Sequence, residues 1–181
     1  MKLQKTLGFT TLALLAGYLM IPPALNAATN PESVDINKLL ADAKAEAVEL
    51  KTDAINMESL TRMNSGWENY ASQLEMIRGH VNNSGKLLTK LKDAAPSGAP
   101  WQQTAISRIE PYLKEMADNT TTTINYLNSN QSKVRLPEFR DLVKANAENA
   151  TSLEALIRDI VDYGNTKERF ERLSRKLELD R

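Results

Sequence analysis

Apolar side chains along this chain recur at alternating intervals of four and three residues, the spacing that keeps one stripe on one side of an α-helix. Ile36, Leu40, Ala43, Ala47, Leu50, Ala54 and Met57 set the first stripe. Asn64-Ser65-Gly66 interrupts it, with Ser33 or Asp35 suited to cap the first helix and Ser65 the second. Tyr70, Leu74, Ile77, Val81, Ser84, Leu88, Leu91 and Ala95 repeat the rule up to the turn-forming run Pro96-Ser97-Gly98-Ala99-Pro100. Gly79 and Gly85 lie inside this second stripe, where a neighbouring helix could approach them closely.

Pro100 suits the first turn of a third helix, whose stripe runs through Ile106, Ile109, Leu113, Met116, Thr120, Ile124 and Leu127. Pro111 cannot donate to the carbonyl of Ser107, so a kink or short break is expected there. After a loop at Asn128–Ser132, Pro137 opens a fourth stripe: Phe139, Val143, Asn146, Ala150, Leu153, Ile157, Ile160 and Gly164. Gly164-Asn165 is placed to end or bend that helix. A second register, Leu156, Tyr163, Phe170 and Leu177, continues at sevens into a highly charged tail. No segment alternates as a strand does. Four amphipathic helices with short connections predict an all-α, antiparallel four-helix bundle, with a helical extension at about 166–181.

The first residues follow another pattern. Lys2 and Lys5 precede an apolar run from Leu7 to Ile21, then Pro22-Pro23 and the small-residue site Ala24-Leu25-Asn26-Ala27. This order reads as a secretory signal peptide over 1–27, cut after Ala27. The alternative is a retained anchor, for which the run is short against the roughly 20 residues of a spanning helix. The product, 28–181, would be a single bundle domain in the periplasm or outside the cell, with no stable membrane insertion. The whole chain carries 23 basic and 23 acidic groups. Removing Lys2 and Lys5 leaves 21 against 23, a net of about −2, which gives no electrostatic footprint for nucleic acid or anionic lipid.

The chain has no cysteine and one histidine, which excludes disulfides, thiolate metal sites and multi-histidine metal sites. His80 sits at the edge of the second stripe and reads as a boundary imidazole; axial haem ligation with a methionine such as Met57, Met63 or Met116 is the sharper alternative. A di-iron bundle needs Glu-x-x-His, and Ile77 stands three before His80. No nucleophile elbow or phosphate loop occurs. Acid pairs such as Glu46 and Glu49, or Asp159 and Asp162, read as solvated helix faces with basic neighbours. Trp67 and Trp101 are expected to close opposite ends of the core, and Tyr70, Tyr112, Tyr126 and Tyr163 to sit half-buried at its boundary. Asn82, Asn119, Asn130 and Asn149 begin glycosylation-type triplets, which are discounted in so Asn- and Thr-rich a chain.

No catalytic, cofactor-binding or metal-binding residue is therefore assigned, and no cofactor is expected. The interaction candidates are Phe170, Leu173 and Leu177, which form an i, i+3, i+7 stripe in the tail. They either cover the first helix of their own chain or dock an unknown protein partner or a second copy. The expected function is that of a non-enzymatic exported bundle acting through protein contacts or an envelope role. The alternative is a periplasmic carrier holding haem or an apolar small molecule between its helices.

The stretch Pro100-Trp101-Gln102-Gln103-Thr104-Ala105-Ile106 with Arg108-Ile109-Glu110-Pro111, and the ending Val161-Asp162-Tyr163-Gly164-Asn165-Thr166-Lys167, resemble a family of exported bacterial helical proteins. The likeness covers about 33–179. It implies a fold and a location but no activity and no functional residue. The chain departs from spheroplast-protein-type chaperones, because Leu60-Thr61-Arg62-Met63-Asn64 ends in Asn where their LTxxQ motif has Gln.

Overall fold

The computed structural model describes residues 35–63 and 65–177. The signal peptide expected over 1–27, with its cut after Ala27, lies outside the described residues. Within them the chain forms four α-helices and no strand: α1 Ile36–Leu60, α2 Trp67–Ala94, α3 Pro100–Ser129 and α4 Pro137–Lys176. Short 3₁₀ turns at Ala95–Ser97 and Gln131–Lys133 join α2 to α3 and α3 to α4. α1 packs on α2 and α4, and α3 closes the square against the same two helices. With connections this short each helix runs antiparallel to the one before it.

The interior follows the four stripes, except that at the end of α2 Ala94 is buried in place of Ala95 and Leu88 only partly so. Every stripe residue named for α1 is buried, as is every one from Phe139 to Gly164 in α4. Alanines at 43, 47, 54 and 150 let the backbones approach, while Leu50, Met57, Ile77, Met116, Leu153 and Phe139 fill the space between. Phe139 closes one end, edge-on to Tyr70 (centroids 5.0 Å) and stacked on Tyr126 (5.7 Å). Tyr70 is thus a core residue, not a boundary one. Burial pushes its phenol above the ordinary tyrosine value, and the charges of Arg140 and Arg135 partly oppose that.

Several local expectations change. Asp35 caps α1, accepting from the amides of Asn37 (2.9 Å) and Lys38 (3.2 Å). Ser65 does not cap α2; Gly66 holds that position with no side-chain bond. Pro100 opens α3, and the Gln102 side chain accepts from the Ala99 amide at 2.8 Å. The expected break at Pro111 does not occur, and helix continues on both sides of it, with the ring at the exposed surface. Gly164 neither ends nor bends α4 out of its helix; it lies buried within forty unbroken helical residues. Its role is steric, since a Cβ there would stand 2.7 Å from Cη2 of Trp101. Gly79 and Gly85 serve no close approach, because a Cβ at either would meet nothing within 4 Å.

The α3 stripe also shifts. Thr123 is fully buried and Ile124 only partly, because Asn146 of α4 takes the interior position opposite. The Asn146 amide nitrogen donates to Thr123 Oγ1 (2.7 Å) and to the Leu142 carbonyl (2.9 Å). Thr123 Oγ1 in turn donates to the Asn119 carbonyl at 2.8 Å. Thr120 Oγ1 lies 3.0 Å from Asn146 Oδ1 and 2.8 Å from the Met116 carbonyl. One hydroxyl proton serves one acceptor at a time, so the Met116 carbonyl and Asn146 Oδ1 compete for it. A single satisfied asparagine in an apolar seam fixes axial register, since sliding either helix strands its amide.

Candidate functional site

The projecting end of α4 carries the interaction candidates, and its position follows from the α1–α4 register. Lys51 meets Glu154 at 3.0 Å, Lys44 meets Asp162 at 3.1 Å, and the Asn37 amide donates to Glu168. Each step back along α1 is a step forward along α4, so Ile36 falls opposite residue 169 or so. Phe170 to Lys176 therefore run past the capped start of α1 by about 10 Å at helical rise.

Phe170 is 69 % exposed, Leu173 43 % and Leu177 61 %. The three share one narrow face, within about 60° at 3.6 residues per turn. They do not cover the first helix of their own chain: that expectation is overturned, because the seam side of α4 is held by Ile160, Gly164 and Ser174 instead. Ser174 is buried and bounds the stripe on the seam side. On the open side stand Arg169, Arg172 and Lys176, all exposed. None of the three has a carboxylate at ion-pair distance among the described residues. Lys167 is different, since it pairs with Glu171 at 2.9 Å. That bond raises the lysine and holds the Glu171 carboxyl below the usual carboxylate range.

One heptad earlier the stripe becomes the wall of a groove between α3 and α4. Trp101 and Tyr163 meet edge to face with centroids 5.3 Å apart. Trp101, Ala105, Leu156, Ile160 and Tyr163 line an open space of about 490 Å³, with Thr104 and the oppositely charged Arg108 and Asp159 at its sides. Trp101 closes this end of the core as expected, against the flat patch that Gly164 leaves. Trp67 lies at the opposite end and stays at the surface. Tyr163 and Tyr112 are exposed, more so than a boundary position implies.

His80 takes a larger part in the packing than its place in the sequence suggested. Its Nδ1 lies 2.7 Å from Glu46 Oε1, and its Nε2 lies 3.3 Å from Asp53 Oδ2. Asn83 donates to the same Glu46 oxygen at 3.1 Å. Glu46 and Asp53 are seven apart on α1, so the imidazole bridges two turns of the neighbouring helix. With both nitrogens engaged, neither points to an interior metal or haem. The space among Ala43, Leu88, Ile109 and Leu153 is about 10 Å³, enough for one water. Among the described residues no cluster of three or more His, Asp or Glu side chains is arranged to hold a metal ion.

Glu154 carries a second unforeseen interaction. It is 5 % exposed yet meets Lys51 at 3.0 Å and Arg158 at 3.4 Å. Its position next to core Leu153 gave no sign of burial; only the α1–α4 register, which brings Lys51 alongside, could have shown it. Among the described residues no helix is long and apolar enough to cross a membrane. Searches against protein-family models, curated proteins and solved structures find no match to this chain.

Proposed function

We propose that this protein is an exported, non-enzymatic helical bundle that works by docking another protein on the projecting end of α4. The observation that carries the reading is the exposed stripe Phe170, Leu173 and Leu177, displayed beyond the capped start of α1. Large apolar side chains in water at a helix end cost solubility and add nothing to the bundle's own core, so a partner is the physical reason to keep them there. Export rests on the charged, apolar and small-residue order of residues 1–27. The rest of the molecule supplies a rigid stalk, through its continuous core and the register fixed by Asn146.

The test is photocrosslinking in the producing cell, with a benzophenone amino acid at Phe170 and, as control, at Met63 near the opposite end. The reading expects a discrete adduct from Phe170, none from Met63, and an isolated protein whose first residue is Ala28. Equal crosslinking from both sites, or none from Phe170, overturns the docking role. An intact N-terminus in the cytosolic fraction overturns export.

A second reading, that of a small-molecule carrier, is favoured by one feature only. The Trp101–Tyr163 groove has the volume of a ligand site, about 490 Å³, and a mostly apolar lining flanked by Arg108 and Asp159. It is open to solvent along its length, which suits a peptide better than a molecule to be enclosed. An apolar dye displaced by no peptide but retained through gel filtration is the result that favours the carrier.

A further inference from the structure

The proposed docking surface also carries a charge pattern that names its partner's chemistry. Residues 166–181 contain six basic and four acidic side chains, a net of +2. Residues 35–165 contain fifteen basic and eighteen acidic, a net of −3. Three of the five cations among the described residues of the tip share one side of the helix, while Lys167 and Arg175 stand with the acids on the other. Arg169, Arg172 and Lys176 lie together on the open flank of the Phe170–Leu173–Leu177 stripe. Glu168 and Glu171 lie on the other side, where Asn37 and Lys167 already engage them.

From this complementarity, and resting on the docking role proposed above, we infer that the occupant is an amphipathic helix with acidic residues flanking its apolar seam. Leu173 and Leu177 supply the a/d-type contacts, Phe170 the large central anchor, and Arg169 and Lys176 the flanking charges that choose the partner. The flanking positions disfavour a second copy of this chain. Pairing two tips sets like flank against like in the antiparallel arrangement, which brings Arg169 and Lys176 against their own equivalents. The geometry also disfavours a lipid surface. An interfacial helix buries a broad apolar face, whereas this stripe is about 60° wide and bounded by Ser174. The Trp101–Tyr163 groove extends the same stripe by one heptad, so a partner helix of about three heptads spans both.

The experiment uses the full exported chain and two synthetic 21-residue helices, each with Leu at a and d. One has Glu at e and g, the other Lys. Isothermal titration at low salt is expected to show the Glu helix binding about tenfold more tightly than the Lys helix, as two or three exposed ion pairs supply. The difference should shrink as salt rises. In R169E/K176E, checked for unchanged helicity, the preference should invert. Equal binding of the two helices overturns the inference, and so does binding of neither. Flotation with phosphatidylglycerol vesicles that R169E/K176E abolishes, without peptide binding, makes the occupant a membrane. A concentration-dependent dimer lost on Phe170→Ser makes it a second copy. With equal binding, or binding of neither helix, a surviving in-cell adduct of Phe170 with another protein keeps the docking role while the acidic-helix inference fails; a membrane or a second copy overturns both.

Discussion

Glycine to alanine at three helical positions should give opposite signs, decided only by the space each Cβ meets. At Gly79 nothing lies within 4 Å of the added methyl, and the site is exposed. Alanine there recovers helix propensity of about 1 kcal/mol, which for a chain of this size raises Tm by about 3 °C. Gly85 has the same open surroundings and should behave alike. At Gly164 the same gain meets Trp101, whose Cη2, Cζ2 and Cζ3 would stand 2.7, 3.4 and 3.6 Å from the new carbon. The indole is backed by Tyr163 at 5.3 Å and cannot withdraw without leaving that contact. Overpacking of this kind costs about 1–3 kcal/mol, so Gly164→Ala is expected to lose up to about 2 kcal/mol net, against a gain at Gly79. Thermal and urea unfolding of the single variants measure the difference, and a cycle with Trp101→Ala isolates the contact. In the Trp101→Ala background the Gly164 substitution should turn stabilising by about 1 kcal/mol. If Gly164→Ala raises Tm as Gly79→Ala does in the otherwise natural chain, the α3–α4 approach at Trp101 is not as described.

Further outcomes follow from the interior polar groups. Asn146→Ala removes three hydrogen bonds and leaves a small void, so urea unfolding should show a loss of about 2–3 kcal/mol; a loss under about 0.5 kcal/mol refutes the network. Lys51→Ala leaves the buried Glu154 with the longer Arg158 contact alone and should cost about 1–3 kcal/mol, little changed by salt; an effect that salt abolishes marks an ordinary surface pair. A cycle of His80→Ala with Glu46→Ala should give a coupling of about 1 kcal/mol, and additivity contradicts the bridge. For Tyr70, burial holds the phenol above its unfolded value, so its neutral form stabilises the fold below about pH 10. That contribution is lost as pH rises through the raised value. Alkaline unfolding should therefore begin at higher pH in Tyr70→Phe, and an unchanged alkaline limb refutes the assignment.

The core could be read from the chain because each stripe is a local repeat that any helix turns to one side. That holds even for Asn146 and Thr120, polar members whose spacing placed them inside before any partner was known. What the repeat could not supply was pairing between helices. Thr123 displaced Ile124 from the seam because an asparagine 23 residues away needed its hydroxyl. Glu154 became interior because Lys51, on another helix, reaches it. His80 stood at the stripe's edge by its own periodicity, but α1 brought two carboxylates to it. The glycines make the same point: three glycines alike in helical context differ only in whether Trp101 lies opposite. For the tail, the heptad continuity of Leu156, Tyr163, Phe170 and Leu177 suggested cover for α1. The cover fails because this register is rotated from the seam, and because α1 stops short of Phe170.

The reading of the α4 tip depends on its apolar stripe being open to solvent in the isolated protein. A chain with no cysteine allows that to be measured without background. Single variants Phe170→Cys, Leu177→Cys and, as a buried reference, Met57→Cys should be treated with a thiol reagent under native conditions. The first two are predicted to react nearly as fast as in denaturant, and Met57→Cys slower by orders of magnitude, limited by opening of the bundle. Protection of positions 170 and 177 comparable to that at 57 would mean that the chain covers its own stripe, and the docking role would fall with it.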